Sequence, residues 1–434
     1  MKQFSAEPTS SEGLVRAIGR WSIAALVVNC IIGSGVFGLP SVLASLIGRA
    51  SIAAILVAAL AVAVIMACFA EVSSRFSETG GPYLYSQAAF GRFMGIQVAW
   101  LVWFVRITAC AANANLFTTY LGEFWPAATS PAMKLLILTL LVGLLAAINI
   151  RGVKAGTRVS TSFTLAKLSA LAFVAAAGAF YLISSHRYIP VQSVNPGASQ
   201  WARAIVLIIF AYGGFEAALI SAGEAKDPRR DIPFGLFAAL LTCAAIYGLI
   251  QWVVVGILPD PGQSQRPLAD VAQIVIGSSG AYLIALGALF SIYGYLSGNM
   301  LATPRITFAL AERGDFPAFF ARVHARFRTP YLSIVAFAFL VWLLALFGSF
   351  AGNATLSAGS RLFYYGVVCA ALPVLRKKNP GQALIKIPAG TMLGILGALI
   401  CAALLTQIEY DKSLILLAAV AVAFFNWLAV RKKI

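Results

Sequence analysis

The chain has 434 residues, of which 60% are hydrophobic and only 11% charged, a composition outside the usual range of soluble domains and suited to a bilayer. Its formal net charge is +17 at pH 7, but the basic residues alternate between segments, so the charge reads as membrane topology and not as a nucleic-acid surface. Six cysteines, Cys30, Cys68, Cys110, Cys243, Cys369 and Cys401, fall one to an apolar segment without C-x-x-C spacing; they are expected to be packing residues, with no metal and no cofactor.

A hydrocarbon core of about 30 Å asks for about 18 or more apolar residues per crossing, and about twelve such stretches succeed one another. They cover residues 21–47, 51–70, 93–121, 133–150, 160–183, 202–223, 234–258, 275–303, 331–349, 356–375, 388–406 and 413–430. A tail over 1–20 precedes them. The first stretch is too long for the apolar region of a signal peptide and is expected to stay in the mature chain. It is interrupted by "NCIIGSGVFGLP", which sets Gly33, Ser34, Gly35, Gly38 and Pro40 close together. The third stretch carries a deep cation, Arg106, read either as bound to backbone carbonyls or as part of a cavity. The fifth carries another, Lys167, nine residues beyond Arg158; at the helical rise that is roughly 13 Å, near the bilayer centre. The sixth, "IIFAYGGFEAAL", has adjacent glycines at 213 and 214 flanked by Phe210, Tyr212 and Phe215. Glu216 follows them, the one acidic residue expected away from loops and helix ends. It is read either as a carboxyl bonded to a neighbouring helix or as a contact for substrate or proton. In the eighth, Tyr293, Ser297 and Asn299 are further pocket candidates. The longest segment between helices, 304–330, is too short for a soluble domain.

With the N-terminus inside, Arg16, Arg20, Arg75, Arg92, Arg151, Lys154, Lys226, Arg229, Arg230, Arg313, Arg322, Arg376, Lys377 and Lys378 share the cytoplasmic side with Lys432 and Lys433. The opposite side receives only Arg49, Lys134, Arg187, Arg203, Arg266 and Lys412. That asymmetry, with an even number of crossings, predicts both termini in the cytoplasm. The two histidines, His186 and His324, fall in loops, so a histidine proton relay inside the membrane is not expected.

A helix broken in hydrocarbon frees backbone groups that something polar must satisfy. A lone break is equally well read as a small-residue packing surface. Here the breaks are paired: each lies in the first of five helices, and the odd number of spans between them makes the two helices cross in opposite directions. The pattern predicts an inverted repeat of five plus five helices, 21–183 and 201–377, with substrate held where the broken helices meet. The last two helices, in 386–434, are then peripheral.

"NCIIGSGVFGLP", "FAYGGFEAALISAGEAKDPRRDIP" and "YGYLSGNMLATPRITFALAERGDFP", in that order, resemble the amino acid–polyamine–organocation (APC) superfamily of permeases, and the similarity runs over nearly the whole chain. The resemblance implies an all-α membrane fold with a ten-helix inverted-repeat core, alternating access, and a small amino-acid or amine substrate. The amides of Gly33, Ser34 and Gly35, at the start of a half-helix, suit a carboxylate. Carbonyls at Ile31, Phe210 and Gly213 suit an ammonium group. Phe210 matches the position of an aromatic lid over substrate. Arginine/agmatine antiporters also carry a glutamate at the position of Glu216, but they have tryptophan where this chain has Phe210, so arginine specificity does not carry over. Permeases of this kind also carry a lysine in the context "TLAKLSAL"; there Lys167 would take the place of a coupling sodium ion.

These readings converge on a sodium-independent secondary transporter of amino acids, coupled to protons or exchanging substrates, and not an enzyme. The alternative is an antiporter of polyamines or of amino acids against their decarboxylation products. A non-transporting sensor is less favoured, because the tails are too short for an output domain, and no ATP-binding motif supports a pump. The expected setting is the bacterial inner membrane, with the lipid bilayer, protons and a second copy of the chain as candidate partners.

Overall fold

The structure, a computed structural model, describes residues 18–76, 80–152, 157–185, 195–219 and 225–431. The tail expected over 1–20 lies mostly outside these residues, as do Lys154, His186, Arg187, Lys432, Lys433 and the end of the sixth apolar stretch. The first stretch forms two helices, α1 (Arg20–Ile31) and α2 (Gly35–Ile47). A tight turn at 48–50 leads to α3 (Ser51–Ser73), followed by α4 (Gly81–Phe90), α5 (Arg92–Leu121), α6 (Pro131–Arg151) and α7 (Thr157–Ser185). The second half begins with α8 (Ala198–Tyr212) and α9 (Phe215–Ala218). It continues through α10 (Pro228–Ile257), α11 (Pro267–Ile276), α12 (Ser278–Glu312), α13 (Tyr331–Phe347) and α14 (Phe350–Lys378). Two further helices, α15 (Gly390–Leu405) and α16 (Tyr410–Val430), close the chain.

Within the described residues, every apolar stretch read from sequence is thus occupied largely by helix. Among the described residues nine stretches are helices long and apolar enough to cross a membrane, with α1, α11, α13 and α15 as shorter apolar helices. Local chemistry sets several ends. Proline stands in the first turn of α4, α6, α10 and α11, where its missing N–H costs nothing. Asp227 caps α10 by accepting from the amide of Arg229 at 3.2 Å. Gly152 ends α6 in the left-handed region at φ 78°.

The surface exposes many large apolar side chains, and a minority of polar groups is buried within a largely apolar core. Leu60, Leu140, Leu144, Phe180, Leu241, Leu399 and Phe425 are exposed, while Gln97, Asn115, Gln251, Asn353 and Arg361 are buried. Asn353 Nδ2 donates to Asn115 Oδ1 at 2.9 Å, and Asn115 Nδ2 donates to the carbonyl of Ala345 at 2.6 Å. These bonds join α5, α13 and α14, because polar groups in hydrocarbon must find partners within the protein. α1 packs on α10, α2 and α3 on α8, and α14 on α5, while α15 lies against α14 and α3, and α16 against α5.

Two short helices were not foreseen in the sequence, α4 and α11. Each follows the second long helix of its half and packs on the helix that comes next. The order of elements therefore recurs: a broken helix, a long one, a short one of 10 residues, then three helices of 17 residues or more. The segment expected as the longest loop is also shorter than predicted. α12 runs on to Glu312, so Arg305 is helical.

Candidate functional site

The break between α1 and α2 leaves the last carbonyls of α1 without intrahelical partners. Ile32 leaves the helix with ψ 95°. Lys167, on α7, supplies what is missing: its Nζ donates to the carbonyl of Ile32 at 2.6 Å, to Asn29 Oδ1 at 3.0 Å and to the Asn29 carbonyl at 3.3 Å. The carbonyl of Ile31 lies 3.2 Å from the Tyr247 hydroxyl, which is also 3.0 Å from the carbonyl of Ala211 on the other broken helix. One hydroxyl on α10 thus touches both breaks.

The second break follows Tyr212. Gly213 is extended at ψ 154°, and Gly214 has φ 118°, a conformation that glycine adopts without penalty. A Cβ on Gly214 would sit 2.3 Å from the Cys30 carbonyl, and one on Gly35 would sit 3.2 Å from Ala211 Cα. The small residues therefore serve first to press the two breaks together. A Cβ at Gly33 would meet nothing nearer than 3.9 Å.

Between the breaks lies a cavity. Cys30, Ile31, Gly33, Ser34 and Gly35 line it from the first, and Phe210, Ala211 and Gly213 from the second. Asn113 of α5, Tyr295 of α12 and Arg361 of α14 complete it. Six residues singled out in the sequence are thus brought together: Ile31, Gly33, Ser34, Gly35, Phe210 and Gly213. Phe210 also packs edge-to-face on Phe350, with ring centroids 6.2 Å apart. Tyr293, Ser297 and Asn299 do not line the cavity. On α12 the lining residue is Tyr295, two positions from Tyr293 and so on another face of the helix. Asn299, one turn beyond Tyr295, accepts from Arg106 Nη1 at 3.3 Å, so Arg106 is tied to α12 beside the cavity.

Glu216, at the start of α9, does not line the cavity either. Its Oε1 accepts from the Tyr364 hydroxyl at 2.9 Å, and its Oε2 from the Tyr365 hydroxyl at 3.0 Å and the Gly214 amide at 2.9 Å. Its ion-pair partner is Arg361, with Nε 3.8 Å from Oε1, and Arg361 Nη1 donates to the Phe210 carbonyl at 3.3 Å. The guanidinium lies directly on Gly213, where a Cβ would fall 1.3 Å from Nη1. Arg361, Tyr364, Tyr365 and Asn113 were all missed in the sequence. For Arg361 the signal was present: it is a third deep cation, inside the stretch 356–375, beside Arg106 and Lys167. Three buried polar atoms of cavity residues have no hydrogen-bond partner among the described residues: Ser34 Oγ, Asn113 Oδ1 and Arg361 Nε.

Compared with known proteins, residues 18–425 match the amino acid permease family. A methylthioribose transporter of Bacillus subtilis (strain 168) is 26% identical over 422 residues, covering 92% of this chain and 90% of the relative. A serine/threonine exchanger of the same organism is 29% identical over 389 residues, covering 86% of each. A putative arginine/ornithine antiporter, also from Bacillus subtilis, is 28% identical over 349 residues, covering 73% and 74%.

Proposed function

Because the chain belongs to the amino acid permease family, we propose that it is a secondary active transporter that carries amino acids across a membrane by alternating access, without sodium. The observation that carries this reading is the cavity between two facing helix breaks, lined by backbone of both. Such a place offers amides and carbonyls to the two charges of an α-amino acid. The amides of Gly33, Ser34 and Gly35 take the α-carboxylate at the start of α2. The carbonyls of Ile31 and Gly213 take the ammonium group. Phe210 closes over the substrate. The recurring order of elements supports an inverted repeat of 21–183 and 201–377, and the basic residues support cytoplasmic termini in the inner membrane.

Lys167 supports the absence of sodium. Its ammonium group already neutralises the carbonyl end of α1, the place where a bound cation would otherwise be needed. Two couplings are compatible with it: a lysine that releases its proton during the cycle, or a fixed charge in an exchanger. Relatives whose names cover serine and threonine, and arginine and ornithine, support amino acids as the class and leave the side chain open.

The experiment is uptake of radiolabelled amino acids into proteoliposomes, with imposed sodium or proton gradients and with or without amino acid inside. Uptake indifferent to sodium is expected, with accumulation under an inward proton gradient or stimulation by internal amino acid. Accumulation driven by sodium overturns the reading.

A further inference from the structure

We infer that Arg361 and Glu216 set the charge selectivity of this site, so that it takes zwitterionic amino acids with an uncharged polar side chain and refuses cationic ones; the inference rests on the amino acid transport proposed above.

The argument begins with the charges near the breaks. Among the described residues, the carboxylate beside the cavity is Glu216, and it is already engaged by two tyrosine hydroxyls, a backbone amide and the Arg361 guanidinium. Glu216 is not among the residues that line the cavity. The cations are three: Arg361 in the cavity wall, Arg106 held by Asn299, and Lys167 held by the end of α1. A substrate ammonium or guanidinium side chain would therefore enter beside positive charge and find no free carboxylate, and like charges at such depth oppose binding strongly.

The unpartnered atoms specify what fits instead. Asn113 Nδ2 donates to the Ala109 carbonyl at 2.8 Å, which orients the amide so that Oδ1 is the acceptor left over. Ser34 Oγ can donate or accept, whereas Arg361 Nε faces Glu216 at 3.8 Å and is left out of the set. A side-chain hydroxyl or carboxamide satisfies such a set, because it both gives and receives hydrogen bonds. An acidic side chain receives only, and would leave the Asn113 oxygen facing an anion. Arg361 is held in place by Glu216 on one side and the Phe210 carbonyl on the other, and the bare Cα of Gly213 gives it room.

The test is competition against radiolabelled serine for uptake into proteoliposomes by the parent protein, Arg361→Met and Glu216→Gln. In the parent, threonine, asparagine and glutamine are expected to compete, and lysine, arginine and ornithine to do so at least about tenfold less well. Arg361→Met leaves the carboxylate without its counter-ion, so lysine and arginine should gain about tenfold relative to serine. Glu216→Gln leaves the guanidinium without one, so aspartate and glutamate should gain instead. Opposite shifts in the two variants support the pair as the selector. Parent uptake that treats arginine like serine overturns it, and so do variants that keep the parent's ranking. If one variant fails to insert, the other and the parent still decide. If the parent takes up no amino acid, the proposed function itself fails; uptake regardless of side-chain charge removes only this inference.

Discussion

Gly213 and Gly33 lie in the same cavity but tolerate side chains differently. At Gly213 even a methyl group collides with the Arg361 guanidinium, and Gly214 combines φ 118° with the Cys30 carbonyl 2.3 Å from its missing Cβ. A Cβ on Gly33 meets nothing nearer than the Ile31 carbonyl at 3.9 Å. Gly213→Ala is therefore expected to lower the thermal unfolding midpoint in detergent and to disturb selectivity together, because the guanidinium must leave its place. Gly33→Val should unfold like the parent yet bind the best substrate at least about tenfold more weakly by calorimetry, because its branches fill the space at the proposed carboxylate site. A Gly33→Val protein with parental affinity would refute carboxylate binding there. Gly35 is a poorer probe, since bulk at that position meets Ala211 and separates α2 from α8. Phe210 adds a kinetic test. Phe210→Ala removes its contact with Phe350 and should slow turnover while membrane insertion is kept; unchanged uptake kinetics would reject the lid.

Among the elements, α1 and α2 depend on a neighbour that sequence distance hides. Lys167 donates to the carbonyls of Asn29 and Ile32 and to Asn29 Oδ1, so α7 supplies partners to the end of α1. Lys167→Met leaves those buried acceptors unsatisfied, at a cost of about 1–3 kcal/mol. Thermal unfolding of the purified variant measures it. In the same variant, proton-driven accumulation should vanish if the lysine cycles, and exchange should persist if its charge is fixed. The short helices α4 and α11 were invisible to a reading that searched for stretches long enough to cross a bilayer. At 10 residues each, they fall below that length.

Across the whole molecule, two buried clusters tie distant helices together at one end. Glu71, fully buried on α3, is paired with Arg75 at 3.0 Å and with Arg376 of α14 at 2.5 Å, and it accepts from the Ile387 amide at 2.9 Å. Sequence treated Glu71 as a mere helix-end residue. Glu71→Gln removes the shared partner of two arginines, a change of about 3–5 kcal/mol for a buried pair. The unfolding midpoint should fall clearly, whereas Asp411→Asn, whose side chain is 62% exposed, should leave it near the parent value. The second cluster is Asp315, which accepts from Arg92 Nε at 2.8 Å and from the Tyr83 hydroxyl, while Asn426 donates to the Asp315 carbonyl at 2.7 Å. Burial, together with the Asp315 carboxylate, pushes the Tyr83 phenol well above its ordinary range. The folded state thus holds that proton more tightly than the unfolded chain does. The contact contributes fully below the ordinary tyrosine value of about 10 and is lost only at more alkaline pH. The contact between α4 and Asp315, just beyond α12, should accordingly be insensitive to pH between 5 and 8, as hydrogen exchange of α4 can test.

Sequence alone was enough for the membrane fold, the helical segments, the two breaks and most of the cavity's backbone. Hydrocarbon imposes these locally: it demands long apolar helices and makes each interruption conspicuous. The six lining residues singled out in the sequence all sit at the breaks themselves. What lay beyond them was decided by tertiary packing. Nothing in the spacing joins Glu216 to Arg361, Tyr364 and Tyr365, or Lys167 to Ile32, because those contacts span 135 to 149 residues. Nor did it reveal that Tyr295, and not Tyr293, faces the cavity, since a helix surrounded by protein on several sides has no single apolar face from which direction can be read. A buried charge declares in sequence that it needs a partner; only the fold says which partner it has.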